Sequence, residues 1–116
     1  MHPKEFAAVM KMTPLGRYEY FVKRAADQQE LWSLWDEGWA LLGDKEQGEF
    51  VPIWPHRDFA KACANGEWSE YLPKSIHLDD WLEKWMPGML RDHRNVAVFP
   101  VPGEKHTRSR HIRAGQ

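Results

Sequence analysis

The chain is short of the residues that usually staple or arm a small protein. It has one cysteine, Cys63, in 116 residues, which excludes an internal disulfide and fits a reducing compartment. Its six histidines (His2, His56, His77, His93, His106 and His111) show no HxH, HxxxH or HExxH spacing. With a single thiol beside them no zinc pattern can be written, and neither a metal nor a cofactor is expected. There is no glycine-rich phosphate loop, nucleophile elbow or dinucleotide fingerprint. No apolar run approaches the ~18 residues of a membrane span. The start, MHPKEFAAVMKM, has an acidic residue and lacks a signal-peptide apolar stretch. The expected location is cytoplasmic.

What the chain has in surplus is tryptophan, seven residues in 13.7 kDa. Burying one aromatic removes about 200 Å² from water, on the order of 5 kcal/mol gross. Several buried indoles would therefore hold a single small domain together without a staple. Net charge is −1, unevenly spread. Residues 1–102 carry 12 Lys and Arg against 16 Asp and Glu. From Gly103 on, Lys105, Arg108, Arg110 and Arg113 face only Glu104. This divides the chain into an acidic domain, 1–102, and a basic tail, 103–116, which has no apolar period and reads as disordered.

Phe6, Val9 and Met10 mark a short helix over Pro3–Met12, and Thr13-Pro14 caps a second that runs to about Gln28. Leu15, Tyr18, Phe21, Val22 and Ala25 form its expected buried face. Leu31–Trp35 and Trp39–Leu42 read as a hairpin, with Gly38 expected at the position of positive φ. Gly43–Gly48 is a turn, and Phe50–Trp54 a third strand. Pro52 cannot donate to a ladder, so that strand should be an edge or pair irregularly. Arg57–Asn65 is a helix stopped by Gly66. A short strand, Ser75–Leu78, precedes a helix over Leu78–Met86 that Pro87-Gly88 should end or kink. Val96–Phe99 is a continuous apolar strand placed inside the sheet. The expected architecture is α+β, order α-α-β-β-β-α-β-α-β, a mixed sheet of about five strands packed by amphipathic helices. The core is expected around Gly48–Trp68.

Five strings occur together in order: RYEYF (17–21), WSLWDEGWAL (32–41), VPIWPHRDF (51–59), LDDWLEKWMPGML (78–90) and VAVFP (96–100). In combination they resemble the bacterial domain-of-unknown-function family numbered 2750, from about Arg17 to Pro102. The Trp-Pro-helix unit and the VAVFP strand are also similar, more loosely, to the SseB-like amino-terminal domain of secretion-associated proteins. The resemblance implies a small cytosolic α/β domain and carries no catalytic residues.

Candidate chemistry is thin. His56 and Cys63 on one helix would stand about 10.5 Å apart along its axis, whereas a nucleophile and its base need about 3 Å. Cys63 sits among Phe59, Ala60 and Ala64, where an inert buried thiol is usual. Asp36-Glu37 suits a turn, and Asp79-Asp80 suits the positive end of a helix. Strand tryptophans must divide between the two sheet faces, so some are left for recognition. Trp54 and Trp68 are the first candidates, with Trp39, His56 and Asp36 behind them. The leading expectation is a non-catalytic, macromolecule-binding domain of adaptor or immunity type, using exposed aromatics on a protein partner. The rivals are a small-molecule binder or hydrolytic enzyme with a Trp-lined pocket using Asp36, Glu37 or His56, and nucleic-acid contact through the basic tail. Oligomeric state is left open.

Overall fold

The computed structural model describes residues 1–44, 46, 48–103 and 112–114. The chain opens with helices α1 (Pro3–Met10) and α2 (Pro14–Gln28). Strands β1 (Glu30–Trp35), β2 (Trp39–Asp44) and β3 (Gly48–Ile53) follow, then α3 (Arg57–Ala62) and a 3-10 turn, Gly66–Trp68. Next come β4 (Leu72–His77), a helical segment from Leu78 to Arg91, and β5 (Arg94–Val98). A three-residue strand, β6 (Ile112–Ala114), pairs with β2. The mixed sheet runs β4-β1-β2-β3-β5, antiparallel except for the parallel β3–β5 pair. This is the α+β architecture expected from the pattern of elements.

Pro52 explains the irregular centre of the sheet. β3 pairs with β2 only from Gly48 to Phe50. Beyond that point the same edge turns toward β1, where the Trp32 and Trp54 backbones exchange two 2.8 Å bonds. Between these contacts the Pro52 carbonyl accepts from the buried Ser33 hydroxyl at 2.7 Å. The missing proline N–H faces this gap, where no ladder bond is needed. The pairing is irregular as expected, but β3 is internal, with β5 on its other side. β5 is the strand at the end of the path among the described residues, not inside the sheet.

Side-chain alternation sorts the two faces. Leu42 and Trp54 line one cavity on the α3 side, while Val51 lines another with Trp85 and Met89 on the opposite side. On the first face Phe59 (α3) is the hub. Its ring lies 5.1 Å from Phe6 (α1), 5.9 Å from Tyr20 (α2) and 4.8 Å from Phe99. On the second face Trp81, Trp85 and Met89 of the Leu78–Arg91 segment cover β2 and β3.

Four local expectations are corrected. The α2 face that packs inward is Arg17, Phe21 and Ala25, while Leu15, Tyr18 and Val22 stay in water. Both sets recur at helical spacing, and the sequence alone does not rank a buried arginine above a leucine. In the β1–β2 turn the left-handed residue is Glu37 (φ 56°), not Gly38. Phe99 is not strand; it takes φ 53° and turns the chain out of β5.

The last correction concerns Pro87, which does not end the helix. The segment runs as α4 (Leu78–Asp80), a π-helical turn (Trp81–Trp85) and α5 (Met86–Arg91). In an α-helix the Pro87 ring would press on the Glu83 carbonyl four residues back. The wider turn, closed by Met86 N–H on the Trp81 carbonyl, relieves that clash and lets the helix continue.

The expected turn over Gly43–Gly48 lies partly outside the described residues. Its two glycines take φ 88° and 98°, and a Cβ on Gly43 would collide with the Gly48 carbonyl. Most of the tail expected to be disordered also lies outside the described residues, but Ile112–Ala114 is strand.

Candidate functional site

Trp54 and Trp68 do meet. Their rings stand edge to face at 6.3 Å, and both line a cavity of about 270 Å³. Leu42, Cys63, Asn65, Glu67, Pro100, Val101, Pro102 and Gly103 complete its lining. The volume sits near the lower end of small-molecule pockets, about 300–1,000 Å³. Trp54 is fully buried, so it forms the floor and offers no exposed indole. Its ring N–H donates to the Pro100 carbonyl at 2.9 Å, and the Cys63 thiol donates to the same oxygen at 3.4 Å. One residue earlier, the Phe99 carbonyl accepts from the buried Arg17 Nε at 3.2 Å. A left-handed phenylalanine before proline is a costly conformation. The donors from Trp54, Cys63 and Arg17, with Phe99 N–H on the Ile53 carbonyl at 2.8 Å, hold it in place.

The other candidates lie elsewhere. His56, Trp39 and Asp36 are not among the cavity residues. Asp36 belongs to the β1–β2 turn, its N–H donating to the Gly38 carbonyl at 3.0 Å. Trp39 is the centre of an indole row on the opposite sheet face. It lies 5.0 Å from Trp35 and 4.8 Å from Trp85, and Trp85 lies 5.5 Å from Trp81. The Lys74 ammonium sits 4.1 Å over Trp35 and 5.3 Å from Trp39. This row cements the Leu78–Arg91 helix to the sheet.

His56 has a structural duty that sequence reasoning missed. Its Nδ1 accepts from the Asp58 N–H at 3.0 Å, capping α3. His2 caps α1 and His77 caps α4 in the same way, through the N–H two residues on. The signal was available in His56-Arg57-Asp58 and His77-Leu78-Asp79, where an acceptor stands just before an acidic first turn. Burial pushes the His56 imidazole below its ordinary 6.5, against the raising influence of Asp58. Tyr20 is the second perturbed group. Burial first, and the Glu5 carboxylate it donates to at 2.6 Å, raise its hydroxyl above the ordinary 10.0.

Sequence reasoning also missed the exposed hydrophobic rows. On α2, Leu15, Tyr18 and Val22 are 66%, 50% and 48% exposed, spaced i, i+3, i+7. On the Leu78–Arg91 segment, Leu82, Met86 and Leu90 form a second row. Among the described residues no helix is long and apolar enough to cross a membrane, so these rows are not parts of a described span. Among the same residues no cluster of His, Cys, Asp or Glu is placed to hold a metal ion. The expected nucleic-acid contact falls on tail side chains outside the described residues.

The fold and these surfaces define a small tryptophan-rich α+β domain. The family model for a protein of unknown function, DUF2750, matches residues 18–110, and the chain belongs to that family. The match extends past Pro102 into the basic segment. No curated protein and no solved structure matches the chain.

Proposed function

We propose that this domain works by binding another protein, and that it does so through the α2 surface rather than through its indoles. The observation that carries this reading is the Leu15–Tyr18–Val22 row. It is an uncovered apolar stripe at helical spacing, separate from the stripe that α2 spends on its own core. Such a stripe is what a groove-binding or helix-packing partner reads. Tyr18 has the size and the polar end typical of residues that dominate interfaces. A tagged chain carrying Tyr18→Glu and Val22→Glu should keep its melting temperature and lose a partner that co-purifies with the wild type. Unchanged co-purification would overturn the proposal.

The Trp54–Trp68 cavity supports a second reading, a small-molecule binder. Its lining combines apolar side chains with Asn65 and Glu67, polar groups of the kind that orient a ligand. A metabolite at 100 times its Kd would add about 2.7 kcal/mol of stability. Thermal-shift screening that finds such a compound, lost in Trp68→Ala, would favour this reading.

A further inference from the structure

We propose that the Trp54–Trp68 cavity takes a small organic ammonium ion, with its charge against Glu67 and its hydrocarbon body against the indoles. This rests on the small-molecule reading of the cavity and adds the class of ligand. The balance of donors and acceptors in the lining carries it. Two side-chain donors, the Trp54 indole N–H and the Cys63 thiol, are already spent on one oxygen, the Pro100 carbonyl, at 2.9 Å and 3.4 Å. The Asn65 amide donates to the Ala62 carbonyl at 3.5 Å. Pro100 and Pro102 bring no N–H to the wall they form. An anion is held by N–H groups and basic side chains. Among the described residues no Lys, Arg or His lines this cavity, so a phosphate or carboxylate finds little to bind.

What the lining offers instead is negative charge and π faces. The 3-10 turn Gly66–Trp68, closed by the Trp68 N–H on the Asn65 carbonyl at 3.0 Å, carries Glu67 and Trp68 to the cavity together. Glu67 is the only charged lining residue among the described residues, and its carboxylate has no ion pair or hydrogen bond among them. It therefore meets a ligand without giving up a partner. Glu67 is also exposed, so the charged end of the ligand stays beside water and loses little hydration. The Trp54 and Trp68 rings are perpendicular, at 89°, and an indole face attracts a cation through its quadrupole. Leu42, Val101 and the two prolines supply contact for an apolar body. At about 270 Å³ the cavity suits a compact amine rather than a nucleotide.

Three probes with one branched hydrocarbon tail test this at pH 7: 3-methylbutylammonium, neutral 3-methylbutanol and anionic 4-methylpentanoate. Each is titrated into the full chain while the indole N–H signals of Trp54 and Trp68 are followed by NMR. The ammonium should bind at the millimolar level expected of so small a ligand, about threefold to tenfold more tightly than the alcohol, with the pentanoate weakest. Glu67→Gln keeps the size of the side chain and removes its charge. It should erase the preference for the ammonium while leaving the alcohol affinity and the melting temperature unchanged. Equal binding of ammonium and alcohol, or a preference that survives Glu67→Gln, overturns the proposal and leaves the cavity reading standing. If no probe moves either indole signal, the proposal falls and the cavity reading falls with it. The α2 row is no part of this cavity, so its reading stands under every result.

Discussion

The indole N–H of Trp54 donates to the Pro100 carbonyl at 2.9 Å across 46 residues of sequence. That bond ties the end of β3 to the chain leaving β5, just where Phe99 holds its left-handed conformation. It explains why Trp54 is an architectural residue first. The ring that looked best suited to recognition is committed to a carbonyl that the turn would otherwise leave with the Cys63 thiol alone.

Trp54→Phe should therefore cost more than its loss of area. It keeps an aromatic floor but removes the N–H, leaving the Pro100 carbonyl with the Cys63 thiol alone, and the loss of one such bond costs about 0.5–1.5 kcal/mol. Urea unfolding should show that loss, whereas Trp68→Phe, at the partly exposed wall, should cost less.

The His56 cap makes stability depend on pH. The folded state holds its imidazole below 6.5, and the cap needs an unprotonated Nδ1 to accept the Asp58 N–H. The stabilisation is whole above about pH 6.5, where folded and unfolded chains are both neutral at this residue. It declines as pH falls, because the unfolded chain takes up the proton first, and it is lost below the folded value. His56→Asn keeps a capping acceptor and should flatten this part of the profile in thermal melts at pH 5–7.

His93 should be replaceable with profit. It is exposed, ends the Met86–Arg91 helix region at φ 57°, and its N–H donates to the Leu90 carbonyl at 3.4 Å. A left-handed residue just past a helix is the glycine position. His93→Gly should stabilise the domain by about 0.5–1 kcal/mol in denaturant unfolding.

Much of the fold was legible because period and punctuation agreed. Thr13-Pro14 caps α2 through the Thr13 hydroxyl on the Gly16 N–H at 3.1 Å, as the dipeptide suggested. The WDEGW hairpin and the Pro52 irregularity could likewise be read from residue type. What failed were decisions made by tertiary contacts. Arg17 took a buried place because the Met12 and Phe99 carbonyls wait there for its guanidinium, and that displaced Leu15, Tyr18 and Val22 into water. Pro87 was absorbed by a π turn that no local rule demands. Of the candidate site residues, Trp54 and Trp68 could be paired from their positions around α3. His56, Trp39 and Asp36 could not be placed, because sequence does not say which sheet face a helix returns to.

The α2 reading has its most direct test in photo-cross-linking. A photoreactive phenylalanine analogue placed at Tyr18 should, in the cells that make the protein, yield one discrete adduct with another protein. The same probe placed at Lys61, on the exposed side of α3, should not. No adduct at position 18, or the same adduct from both positions, would contradict the claim that this helix surface is where the domain does its work.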